Sequence, residues 1–85
     1  MVPEQNSKTI LLVEDEALIA LDEAQTLERH GYNVTIATHA QSAIETVNNR
    51  PIDMILMDID LGQNEIDGTA TAEKILETHN LPIIF

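Results

Sequence analysis

Apolar residues fall along the chain in two alternating kinds of segment. Thr9 to Val13 (TILLV) is an unbroken apolar run of mostly branched side chains, too short for a helix and bounded by charge; it predicts a strand covered on both faces. From Glu16 the spacing becomes helical, with Ala17, Leu21, Ala24 and Leu27 on one face and Gly31 where a positive φ would stop the helix. Asp15 is the expected N-cap. Asn33 to Thr38 alternates polar and apolar as a strand does, and Ala40, Ala43, Ile44 and Val47 then form a second helical face. Thr38 with Gln41 three residues later has the spacing of a capping box. Asn48, Asn49, Arg50 and Pro51 end that helix and return the chain to a third strand, Met54 to Met57, whose methionines read as core filler. A polar, Gly-containing loop over 59 to 67 follows. Asp67 and Gly68 introduce a third helix, with Ala72, Ile75 and Leu76 inward and Asn80 at its end, and Pro82 to Phe85 (PIIF) starts a fourth strand.

The order strand, helix, strand, helix, strand, helix, strand, with short connections, predicts an α/β fold. Right-handed crossovers then require a doubly wound parallel sheet with helices on both faces. Residues 1 to 8, polar with an early Pro3, are expected to be a flexible tail, which leaves 9 to 85 as one domain.

Composition narrows the function. Fifteen acidic residues against Lys8, Arg29, Arg50 and Lys74 give a formal charge of −11, which would repel a nucleic-acid backbone. Tyr32 and Phe85 are the only aromatic residues, too few for a stacking platform. Absence of cysteine excludes a disulfide framework, a thiolate zinc site and a cysteine nucleophile. No apolar run approaches the roughly 20 residues of a membrane span, and the first eight residues lack a signal-peptide core, so a cytoplasmic protein without membrane contact is expected.

The acids at two strand ends change the picture most. Glu14 and Asp15 end the first apolar run, and Asp58 and Asp60 end the third, MILMDIDLG. In sheets of this kind ligands bind beyond the carboxyl ends of the strands, where the winding direction reverses. If strand one lies between strands two and three, Glu14, Asp15 and Asp58 converge there. Such a cluster is costly unless a cation sits in it or one acid keeps a proton. Oxygen-only ligands suit Mg²⁺, which keeps several waters and takes one or two carboxylates plus phosphate oxygens. Each acid also has a plainer reading: Asp58 as a strand-end cap, Glu14 and Asp15 as partners of the helix dipole, with Glu16 able to serve the dipole instead. His30, His39 and His79 fall at helix ends without metal-site spacing, and are expected to meet terminal carbonyls or solvent.

LLVEDE at the first strand end, MILMDIDLG at the third, the DG pair Asp67 and Gly68, and LPIIF at the fourth strand together resemble the receiver domain of two-component response regulators, over nearly all of residues 8 to 85. The resemblance implies a flavodoxin-like sheet of order 2-1-3-4, incomplete in that the family's fifth strand and last two helices are absent. It implies that Asp58 is the phosphoacceptor, taking a phosphoryl group from a sensor histidine kinase or phosphotransfer protein. It implies Mg²⁺ held by Glu14, Asp15, Asp58 and the backbone carbonyl of Asp60, in a signalling domain that is not a turnover enzyme. The chain departs from the family in Gly62, where proline is common, in a longer stretch from there to Gly68, and in Glu14, where aspartate is also common. The family's Ser or Thr after the fourth strand and its Lys after the fifth have no counterpart here, so phosphotransfer by this chain is expected to be impaired.

Two alternatives stand beside this reading. Asp58 and Asp60 also resemble the DxD nucleophile motif of haloacid-dehalogenase-like phosphatases, although that motif belongs on a first strand and leaves Glu14 and Asp15 without a task. An exposed fourth strand could instead make the chain an interaction module that dimerises.

Overall fold

The computed structural model describes residues 8–58 and 68–85. They form β1 (Thr9–Val13), α1 (Ala17–Arg29), β2 (Asn33–Ala37), α2 (Ala40–Asn49), β3 (Met54–Met57), α3 (Gly68–Leu76) and β4 (Ile83–Ile84). The strands make one sheet of order β2-β1-β3-β4 in which every pair is parallel. This is the flavodoxin-like order expected from the sequence. The tail expected at 1 to 8 lies, Lys8 apart, outside the described residues, as does the loop expected at 59 to 67 with Asp60, Gly62 and Asp67.

The unbroken apolar run of β1 follows from its central place. Leu11 and Val13 face α2 and α3, in a core with Ala43 and Val47 of α2, Ile55 and Met57 of β3 and Ile75 of α3. Leu12 faces the other way, onto Ala20 and Ala24 of α1. Met57 thus sits in the main core as expected, and Met54 is half-buried. Full burial of a side chain such as Leu11 or Ile55 stabilises by about 1.5–3 kcal/mol, so this larger layer dominates the fold.

The sheet-facing side of α1 is the expected one at Ala24 and Leu27 but not at Ala17 and Leu21. Ala20 and Ala24 are buried, Leu27 is half-buried, and Ala17 and Leu21 are exposed. Residues 17 to 21 are all apolar, so the spacing fits two faces equally. The small Ala20 and Ala24 let the helix axis approach the sheet, and Leu18 and Leu21 are left 81% and 52% exposed. In α3 the buried set is Gly68, Thr71, Ala72 and Ile75, and Leu76, expected inward, is 50% exposed because it lies one position round from Ile75. That helix stops at Leu76 rather than near Asn80, as Thr78 and His79 donate back to the Ile75 carbonyl in a turn.

Helix ends show two further corrections. The N-cap of α1 is Glu16 and not Asp15, with no capping bond from its own side chain. The capping box of α2 is His39 with Ser42, one residue later than Thr38 with Gln41: the Ser42 amide donates to His39 Nδ1 at 3.3 Å, and the His39 amide donates to Ser42 Oγ at 3.4 Å. The imidazole nitrogen lies two bonds from Cβ, as an asparagine oxygen does, so His39 can cap a helix that begins at Ala40. Gly31 does end α1, with φ 94°. The Tyr32 amide donates to the Leu27 carbonyl at 3.3 Å and the Gly31 amide to Glu28 at 3.0 Å, a Schellman closure. Of the other histidines, His30 Nδ1 meets the Thr26 carbonyl at 2.9 Å, whereas His79 Nε2 meets Asn48 Oδ1 at 2.9 Å and ties the turn after α3 to the end of α2. No helix among the described residues is long and apolar enough to cross a membrane.

Candidate metal centre

Register decides which acids meet. Val13 of β1 pairs with Met57 of β3, so the next residues, Glu14 and Asp58, leave the sheet side by side. Both are still held by ladder-type bonds: the Asp58 amide donates to the Val13 carbonyl at 2.9 Å, and the Glu14 amide to Ala37 of β2 at 3.0 Å. The backbone under the two carboxylates is therefore as fixed as the strands themselves. Asp15 follows in the bend before α1.

One carboxylate oxygen from each of Glu14, Asp15 and Asp58 lies within 4.8 Å of the others. Glu14 and Asp58 are half-buried and Asp15 is exposed. Two like unit charges about 4 Å apart repel by about 1 kcal/mol in bulk water and about 4 kcal/mol at the effective dielectric of a protein surface. The three therefore favour a proton or a cation among them. Glu14 records this: burial, then the charge of Asp58, a hydrogen bond with Asp15 and the charge of Glu23 hold its carboxyl above the ordinary value of 4.5, against a lowering bond from the Glu16 amide. That amide donates to Glu14 Oε2 at 3.2 Å and closes the open start of α1.

The structure thus brings Glu14, Asp15 and Asp58 together as expected, and Asp60 lies outside the described residues. An all-oxygen donor set of three carboxylates matches a hard divalent cation such as Mg²⁺. Glu23 was not singled out by the sequence: it lies on α1, nine residues from Glu14 with a bend between them, and no helical spacing links the two. With Asp22 it walls a groove of ≈ 550 Å³ that runs from Glu14 and Asp58 over Leu12 and Leu56.

The three acids thus stand at the switch point of a doubly wound parallel sheet, between β1 and β3. Residues 10–85 match the response regulator receiver domain family, and the chain belongs to it. It is 32% identical over 76 residues to an NtrX-like response regulator of Rickettsia felis, covering 88% of this chain and 16% of that protein, so it spans under a fifth of that relative's length. Among solved structures it is similar to the N-terminal domain of a response regulator/sensory box/GGDEF three-domain protein from Carboxydothermus hydrogenoformans. There the TM-score is 0.84 at 42% identity, covering 89% of this chain and 61% of that one. The response regulator TrrA from Thermotoga maritima, solved in complex with Mg²⁺ and BeF, matches with TM-score 0.82 at 26% identity, over 89% of this chain and 65% of that one.

Proposed function

We propose that Asp58 accepts a phosphoryl group from the phosphohistidine of a sensor histidine kinase or phosphotransfer protein, with Mg²⁺ held by Glu14, Asp15 and Asp58 and by the backbone carbonyl of Asp60. The observation that carries this reading is the convergence of the three carboxylates on one point in a chain of the receiver family. The bound Mg²⁺ of TrrA supports the choice of ion. In the step itself a carboxylate oxygen of Asp58 attacks phosphorus, the new P–O bond forms as the P–N bond breaks, and the electron pair returns to the imidazole nitrogen. Magnesium would supply charge neutralisation for the incoming phosphoryl oxygens. Glu14 and Asp15 carry no covalent role; they hold the cation and leave Asp58 as nucleophile. The domain then acts as a signalling acceptor and not as a turnover enzyme, and a cytoplasmic location accompanies that role.

Incubation with acetyl phosphate and MgCl₂, followed by intact-mass measurement, tests the proposal, acetate being the leaving group. The wild-type chain should gain one phosphoryl group, and Asp58→Asn or omission of Mg²⁺ should abolish the gain. A folded wild-type sample that stays unmodified would sink the acceptor role for this chain. The DxD phosphatase alternative gains no support from the site, since Asp58 follows the third strand and Glu14 and Asp15 sit with it. Self-association through β4 has one observation in its favour, the exposure of Ile84 and Phe85 at 50% and 59%, and sedimentation over a range of concentrations tests it.

A further inference from the structure

The start of α1 shows an unusual division of labour. Glu16 occupies the N-cap with extended backbone, φ −94° and ψ 111°, yet its own side chain caps nothing. Its carbonyl accepts the first helical bond, from the Ala20 amide at 2.9 Å, so its backbone is committed to the helix. Its amide points the other way and donates to Glu14 Oε2 at 3.2 Å. Glu14 has one methylene more than an aspartate at this position, and without a restraint that extra torsion would let the carboxylate swing away from Asp15 and Asp58. A carboxylate has two oxygens, and a ligating carboxylate is ordinarily held by a hydrogen bond to the oxygen that does not face the metal.

We propose that the backbone amide of Glu16 is the positioning group of the cation site, holding Glu14 through one carboxylate oxygen so that the other faces Asp15 and Asp58. This inference rests on the cation reading given above. It makes the N-cap residue of α1 part of the site through its backbone, with its side chain dispensable. It also ties the cation to the start of α1, because the amide that orients the ligand belongs to the residue whose carbonyl begins the helix.

Two substitutions separate amide from side chain. Glu16→Ala keeps the amide and deletes the carboxylate; Glu16→Pro deletes both, and proline, with φ of about −65°, needs a modest backbone shift from the −94° found here. MgCl₂ affinity is measured by calorimetry on both variants and the wild type, with thermal melts to show that each is folded. Loss of a hydrogen bond behind a ligand costs roughly 10-fold or more in metal affinity. The expected result is MgCl₂ binding by Glu16→Pro roughly 10-fold weaker than by Glu16→Ala; equal affinities in the two folded variants would overturn the inference and leave the cation reading intact. If Glu16→Pro fails to fold, hydrogen exchange of the Glu16 amide in the wild type decides. Exchange should slow on addition of MgCl₂ as Glu14 is fixed, and unchanged or faster exchange would overturn the inference. A wild-type chain that binds no MgCl₂ would overturn the cation reading itself, and this inference with it.

Discussion

Asp53 and Thr9 bond each other twice at the amino end of the sheet: the Thr9 amide donates to Asp53 Oδ2 at 2.7 Å, and the Asp53 amide donates to the Thr9 carbonyl at 2.9 Å. The pair lies one step before Ile10 and Met54, the first partners in the β1–β3 ladder. It therefore pins the register that sets Glu14 beside Asp58 at the other end. A slip by one residue would turn every side chain of β3 to the opposite face and part the acids.

Asp53→Ala removes the charged half of this lock and keeps the amide bond. Loss of about 1 kcal/mol of stability is expected, below the usual range for a bond to a charged group because the site is exposed. Urea denaturation should show a lower midpoint with an unchanged slope.

Repulsion among the site carboxylates should be visible without any cation. Glu14→Gln is expected to raise the stability of the metal-free chain and to abolish the rise in melting temperature that MgCl₂ gives the wild type. The pH dependence has a definite sign. Glu14 is raised above 4.5 in the folded chain, so the folded state binds more protons there than the unfolded state. Its contribution to stability therefore falls as pH rises from 4.5 through the folded value, and levels off above it. Thermal melts between pH 4.5 and neutrality should show this slope in the wild type and its loss in Glu14→Gln.

The face of α1 can be checked by a matched pair. Ala24→Leu forces extra volume between helix and sheet and should cost about 1–3 kcal/mol. Leu18→Gln, on the exposed side, should change stability by no more than about 0.5 kcal/mol.

At the start of α2, His39→Ala should cost about 1 kcal/mol by removing the acceptor for the Ser42 amide. Thr38→Ala should be nearly neutral. Denaturation midpoints of the two variants measure the difference directly.

Much of the architecture could be read from local pattern. A strand buried on both faces has no polar side, so TILLV announced a central strand; Gly31 announced the end of α1, because a left-handed backbone at φ 94° strains any residue with a Cβ. Strand order came from the resemblance to receiver domains, because chain order and crossover handedness leave more than one order open. Glu14, Asp15 and Asp58 were legible as candidates because each sits where an apolar run stops. Other features had no local signal. Five consecutive apolar residues at the start of α1 leave its buried side undetermined until the sheet chooses the alanines that allow close approach. His39 displaced Thr38 as the cap because the helix begins at Ala40 and the His39 imidazole can accept from the Ser42 amide. The nearness of Glu23 to Glu14 arises only when α1 packs back across the sheet. Sequence by itself determined the elements, their order and the identities of the acids, since these depend on periodicity and on residue chemistry. Tertiary structure alone decided their register, the distance between carboxylates 43 and 44 positions apart, and the environment that raises Glu14, because each of these is a property of β1 and β3 lying side by side.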